Sequence, residues 1–255
     1  MVLYHMQIFT KYNDTNFKDA LIKEVDGLNL LALHLKDNGY LNIPKIRSVN
    51  KKELQTELVE SSLRTPELSK ALGVGLSNLH KIPFEEYGLD YDNYIGLNPQ
   101  KNILSKDWGE FFYEYRLMYQ VSLIADIATK RRYETVLMGA KDKLVSFLND
   151  TCDHASLVHG DLWSGNVLYS DSGIYLIDPA VYFGDREVDI AMSEMFGGFS
   201  DDFYKAYNES YALSGEYQKK RVVFNLYHYL NHFNLFGSGY SFDCNKGFEF
   251  IELRL

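Results

Sequence analysis

From Phe17 to Lys36 apolar residues recur as Leu21, Val25, Leu28, Leu31 and Leu35, the three-to-four spacing that sets them on one face of an amphipathic helix. Asp37-Asn38-Gly39 ends that run. Upstream, the β-branched and aromatic residues of 2–11 predict a strand, and the polar KYNDTN after it a turn. Residues 44–50 and 53–60 predict two more strands around Asn50-Lys51-Lys52. Helical spacing returns over 66–80 and stops before Pro83, whereas 84–102, with Gly88, Gly96 and Pro99, predicts an irregular loop. Residues 107–131 and 133–149 predict helices, the first carrying a bulky stripe of Trp108, Phe111, Phe112, Tyr115 and Met118. Two short strands, 167–169 and 174–177, joined by Ser170-Asp171-Ser172-Gly173, interrupt the helical pattern, which resumes over 186–196, 200–212 and 215–236.

This order predicts an α+β chain of two lobes, strand-rich over residues 1–60 and mainly helical over 61–255, with the cleft between them as the default ligand site. No internal repeat or low-complexity segment is present. Among the 255 residues 46% are hydrophobic and 24% charged, the balance of a folded globular protein, which excludes a disordered chain. A formal charge of −9 and the lack of any Lys/Arg cluster argue against a nucleic-acid partner, and the acidity is compatible with a cationic substrate. Cys152 and Cys244 stand far apart with no metal-binding spacing, so neither a disulfide framework nor a zinc site is expected. The first residues are too polar for a signal peptide and no apolar run reaches the ~18 residues of a membrane span, so we expect a cytoplasmic protein with no membrane partner. Nothing demands an oligomer, and a monomer is expected.

The chemistry-bearing cluster is His159-Gly160-Asp161 followed by Asn166, with Ile177-Asp178-Pro179 beyond it. A loop with an Asp at one end and an Asn at the other, followed by a hairpin returning a second Asp, brings three oxygen-bearing side chains to one point. Phosphoryl transfer needs that set: a carboxylate to take the proton of an attacking hydroxyl, and an amide and a carboxylate to hold Mg²⁺ against ATP phosphates. Asp161 is then the base that meets the substrate hydroxyl, with Asn166 and Asp178 the metal ligands. Each alone is equally well a turn Asp, a loop Asn or a helix-capping Asp. Lys11 at the end of the first strand and Glu24 on the next helix have the positions of a phosphate-binding lysine and the carboxylate that holds it. His228 and His232, four apart on a helix, lack a third ligand and have apolar neighbours, so they are not read as a metal pair.

HGDLWSGN, IDPAVYFGDREVDIAMSEMFGGF, FYKAYNESYAL and LYHYLNHFNLFG resemble the fructosamine kinase family, which is similar to the aminoglycoside and choline phosphotransferases and shares the protein-kinase-like fold. FTKYND with EVDGLNLL resembles the family's lysine strand and helix glutamate, LGVGLSNLH its first helix of the larger lobe, and DNYIGLNPQKN with DWGEFFYEYRL its substrate-side insertion. The resemblance runs from residue 8 to about 240, and the terminal SFDCNKGFEFIELRL resembles the family poorly. It implies ATP-dependent phosphorylation of a sugar hydroxyl of a ketosamine, a fructosamine or ribulosamine, free or on lysine. It also implies that Trp163 lines the substrate pocket, that backbone groups of Glu57, Leu58 and Val59 in an interlobe hinge bind adenine, that Asp189 braces the catalytic loop, and that His159 orients it. Family members carry a glycine-rich hairpin before the lysine. Here ten residues precede Lys11, none of them glycine, about one strand at ~3.3 Å per residue. The expectation is a truncated small lobe, which leaves a non-catalytic ligand-binding pseudokinase and an aminoglycoside- or choline-type phosphotransferase as the alternatives.

Overall fold

The computed structural model describes residues 7–255. β1 (Ile8–Tyr12) leads into α1 (Ala20–His34), β2 (Leu41–Asn42), β3 (Ile46–Val49) and β4 (Glu53–Glu57). α2 (Pro66–His80) follows, then β5 (Tyr87–Gly88), β6 (Asn93–Ile95), β7 (Asn98–Gln100) and β8 (Leu104–Ser105). α3 (Trp108–Phe112) passes through a π-helical segment, Tyr113–Met118, into α4 (Tyr119–Ser122), and α5 (Ile127–Thr151) comes next. The remaining elements are β9 (Ser156–Val158), β10 (Val167–Ser170), β11 (Gly173–Leu176), β12 (Tyr182–Gly184), α6 (Glu187–Ser193), α7 (Asp201–Ser210), α8 (Tyr217–Phe236) and α9 (Ser241–Arg254). The first part of the strand expected over 2–11, and of the segment where a glycine-rich hairpin was sought, lies outside the described residues.

Local chemistry explains the boundaries that match and those that do not. α2 starts where Thr65 accepts the Leu68 N–H and Pro66 occupies the first turn, two start signals in one place. The single helix expected over 107–131 is broken, because Asp126 caps a new helix by accepting the Thr129 N–H. The loop expected over 84–102 contains β5, β6 and β7, whose two- and three-residue lengths leave no alternating pattern to read. The C-terminal segment, given no role from the sequence, forms α9 and buries Cys244, Phe248 and Ile251 against α8 and α5.

The three-stranded sheet β1-β4-β3 covers a small cluster of Leu21, Val25 and Leu54. The largest core joins α3, α5, α8 and α9 around Trp108, Phe112, Leu144 and Phe224. A second core lies between them: Leu31 of α1 and Leu35 just beyond its end pack with Leu72 and Leu76 of α2, Leu176 of β11 and Ile190 of α6. β2 pairs in parallel with β11 through Leu41 and Ile174, and β11 pairs antiparallel with β10. The end of α1 and β2 are therefore stitched to the hairpin whose two ends carry Asn166 and Asp178. Among the described residues, no helix is long and apolar enough to cross a membrane.

Candidate active site

β9 ends at Val158 and the chain turns through His159, Gly160 and Asp161. Gly160 adopts φ +80°, and a Cβ there would stand 2.1 Å from the Ala180 carbonyl oxygen, so glycine alone fits. Asp189 holds the turn from behind. Its fully buried carboxylate accepts the His159 N–H at 2.7 Å and the Gly160 N–H at 2.9 Å. The same carboxylate faces His80 Nε2 at 3.3 Å, while Tyr207 Oη lies 2.9 Å from His80 Nδ1. Burial lowers the His80 pKa, which fits a neutral ring donating from Nε2 to Asp189. Burial works to raise Asp189, but its contacts with His80, His159 and the Gly160 N–H hold it below the usual carboxylate range. His159 spans the loop: its Nε2 donates to the Ile177 carbonyl at 3.0 Å, leaving Nδ1 to accept the Asp161 N–H at 3.4 Å.

A 3₁₀ turn over Ser164–Asn166 then aims Asn166 back at the loop. Its amide nitrogen donates to the Asp161 carbonyl at 2.8 Å and the Asp161 carboxylate at 3.3 Å, and reaches the Asp178 carbonyl at 3.5 Å. Burial pushes the Asp161 carboxyl up to about 7, against the downward pull of Asn166. Asp178 follows β11 with φ +53°, a left-handed conformation that costs a non-glycine residue energy and recurs at functional sites. Lys11 donates to Glu24 at 2.8 Å and to Asp178 at 2.9 Å. Burial works to lower the Lys11 pKa, but Glu24 and Asp178 outweigh it and keep the ammonium charged. Burial pushes the Glu24 carboxyl up, opposed by the Lys11 ammonium beside it. All five of these sequence-selected residues thus meet at one cleft.

Two cavities meet at Lys11, Glu24 and Asp178. One, of about 250 Å³, is an apolar slot between Phe9, Leu28 and Leu54 on one side and Leu168 and Ile177 on the other, with Glu57, Leu58 and Val59 at its edge. The other, of about 290 Å³, is the more polar of the two and includes Asp14, Thr15, Tyr94, Asp161, Trp163 and Asn166. Trp163 lies over Gly165, where a Cβ would sit 2.2 Å from the indole, and meets the edge of Phe196 at 6.4 Å between centroids.

The donor set suits a hard divalent cation. Asn166 spends its nitrogen on Asp161, which turns its carbonyl oxygen away from those bonds, and Asp178 gives one oxygen to Lys11 and keeps the other. Among the described residues no group of three or more His, Cys, Asp or Glu could hold a metal. Two protein oxygens, completed by phosphate and water, are what a Mg²⁺–nucleotide site requires. His232 Nδ1 donates to the His228 carbonyl at 2.8 Å, a helix-internal bond that agrees with reading this pair as structural.

Sequence reasoning missed His80, which reaches Asp189 from a helix 109 residues away, and Tyr207, which holds the other ring nitrogen of His80 from a third helix. It also missed Lys220, buried between Asp185 at 2.5 Å and Glu187 at 2.8 Å. The only signal there was the run of charges in GDREVD between apolar stretches.

The family model described as fructosamine kinase matches residues 3–251. The chain belongs to the fructosamine kinase family. The match reaches well into α9, so the C-terminal segment is part of the family pattern, contrary to the sequence reading. The "Probable ketoamine kinase" of Vibrio parahaemolyticus is 36% identical to this fructosamine kinase family member over 240 residues, 91% of this chain and 80% of the relative. A crystal structure of a candidate fructosamine-3-kinase from Thermobifida fusca superposes with a TM-score of 0.81 at 27% identity, covering 97% of this chain and 86% of that one. The choline kinase of Streptococcus pneumoniae shares the fold alone, with a TM-score of 0.63 at 16% identity over 97% of this chain and 86% of that one. The family member thus has the protein-kinase-like fold.

Proposed function

We propose that this chain transfers the γ-phosphoryl group of ATP to a sugar hydroxyl of a ketosamine, a fructosamine or ribulosamine, free or carried on lysine. The observation that carries the reading is the meeting of Asp161, Asn166, Asp178 and Lys11 between an apolar slot and a polar cavity. Residues 1–60 serve as the nucleotide lobe and 61–255 as the catalytic and substrate lobe. The apolar slot takes the adenine ring, with the backbone of Glu57, Leu58 and Val59 at its edge. Lys11, steadied by Glu24, meets the phosphates. Asn166 and Asp178 hold Mg²⁺, which when bound neutralises phosphate charge.

Asp161 faces the acceptor. It takes the proton as the sugar oxygen bonds to the γ-phosphorus and the bond to the β–γ bridging oxygen breaks, releasing ADP. Its raised pKa suits a base working near neutrality. The protonated carboxyl cannot accept, so kcat/KM should rise with pH through a limb centred near 7 and level off above it. A pH profile of kcat/KM for Mg²⁺–ATP, which reports the groups of the protein before metal and nucleotide bind, reads this, and a limb that persists unchanged in Asp161→Asn would assign it to another group. Trp163 offers an indole face to the sugar or to the ammonium of the acceptor.

Family membership favours this reading over a choline- or aminoglycoside-type activity, and the complete set of site residues favours it over a non-catalytic binding protein. ADP release by the purified chain, assayed with fructosyl-lysine, ribulosyl-lysine, choline and an aminoglycoside, tests it. Turnover is expected with the ketosamines. Turnover of choline or the aminoglycoside in their place would overturn the proposal.

A further inference from the structure

The hairpin formed by β6 and β7 touches both halves of the site. Asn93 and Gln100 face each other across its register, and both are almost fully buried. Asn93 Nδ2 donates to the Val181 carbonyl at 2.9 Å, and Gln100 Nε2 to the Ala180 carbonyl at 3.0 Å and to Asn93 Oδ1 at 2.8 Å. Those carbonyls follow Asp178 by three and two residues. The amides are themselves fixed. Tyr227 Oη donates to Gln100 Oε1 at 2.6 Å, and Asn102 Nδ2 donates to Asn93 Oδ1 at 2.9 Å. Arg116 donates to Asn102 Oδ1 at 2.8 Å, its guanidinium 4.0 Å from the centre of the Tyr182 ring.

Tyr94, between these positions, points to the opposite face, as strand alternation requires. Its hydroxyl donates to Asp19 at 2.7 Å and its ring lies 4.9 Å from that of Phe17, just ahead of the helix that carries Glu24. At the tip, Gly96 and Leu97 line the polar cavity.

We propose that Asn93 and Gln100 are positioning residues for Asp178, and that through Tyr94 and its tip the same hairpin links acceptor occupancy to the metal–nucleotide site. Both halves rest on the metal–nucleotide site proposed above, and the second also on its acceptor. Asp178 is held in a left-handed conformation, and the fixed carbonyls beyond it deny the chain room to relax. Loss of a donor leaves the buried Ala180 carbonyl unpaired and frees the segment that aims the carboxylate at Lys11.

The test measures Mg²⁺–ADP binding, without turnover, in the full-length protein. In Gln100→Leu the Mg²⁺ concentration for half-maximal ADP binding should rise about tenfold, as for groups that orient a metal ligand from behind, while ADP binding without Mg²⁺ stays unchanged. A purely structural role would lower the unfolding temperature and leave the Mg²⁺ midpoint in place. Tyr227→Phe, which removes only the hydroxyl that orients Gln100, should move the midpoint the same way by less, and decides the matter if Gln100→Leu does not fold. Folded variants with the wild-type midpoint would overturn the positioning role, as would a wild type that binds no ADP with Mg²⁺. Fructosyl-lysine should tighten Mg²⁺–ADP binding by at least about fivefold in the wild type and not in Tyr94→Phe. No tightening in the wild type, or equal tightening in both, overturns the link. A midpoint shift in a protein that phosphorylates no ketosamine supports the positioning role and rejects only the proposed substrate.

Discussion

Asp161→Asn should lower kcat by ~10²–10⁴, the usual worth of a positioned general base, and leave Mg²⁺–ATP binding near wild type. The amide has the shape of the carboxylate and can still accept the Asn166 hydrogen bond, but cannot take a proton from the acceptor hydroxyl. The slot assigned to adenine is built from other residues. Stability should not suffer. The folded-state pKa lies above the unfolded one, so the fold holds the proton more tightly and loses stability as pH rises from the ordinary carboxylate range to about 7. Asp161→Asn removes that loss, and unfolding curves above neutral pH should show a protein at least as stable as wild type. Single-turnover kinetics check the chemical step, and an unchanged rate would exclude Asp161 as the base.

Asp189→Asn should fail in a different way, losing stability and turnover together. Both carboxylate oxygens accept backbone N–H groups, and His80 adds another contact. An amide can present one oxygen only, so its nitrogen must confront a buried donor. Each orphaned donor costs ~1–3 kcal/mol, and the turn that carries Asp161 loses its brace. The expected result is a lower urea midpoint with an unchanged slope, and a fall in kcat not explained by unfolded protein. An Asp189→Asn protein as stable as wild type would show that the turn holds itself.

What the sequence revealed followed the range over which each feature is encoded. Asp161, Asn166 and Asp178 were legible because a single loop and hairpin bring them together, so their spacing is nearly a geometric statement. α2 was legible because its cap, its proline and its periodicity agree. The amides of the β6–β7 hairpin were not: Asn93, Gln100 and Asn102 are polar and sit near Gly96 and Pro99, which reads as a solvated loop. Burial reverses the meaning of that polarity, and burial is decided by Ala180 and Val181, some eighty residues away. His80 was hidden for the same reason, its partner Asp189 being buried on another helix. Asp126 shows the opposite failure: a capping residue inside an apolar periodicity was passed over, and the break between two helices was placed at 132 instead of before Ile127.

The pairing of β2 with β11 limits how the cleft can open. α1 shares the second core with α2 and α6, and Asn38 donates to the Gly75 carbonyl at 2.8 Å, so the helix carrying Glu24 is anchored to the larger lobe. The sheet β1-β4-β3 meets the apolar face of α1 through a small cluster in which its Leu54 packs with Leu21 and Val25 of the helix, among the described residues. Nucleotide exchange at this cleft would then be a light flap tilting on a fixed frame rather than two jaws parting. The swing would break Lys11 from Glu24 and Asp178 while leaving those carboxylates where they stand.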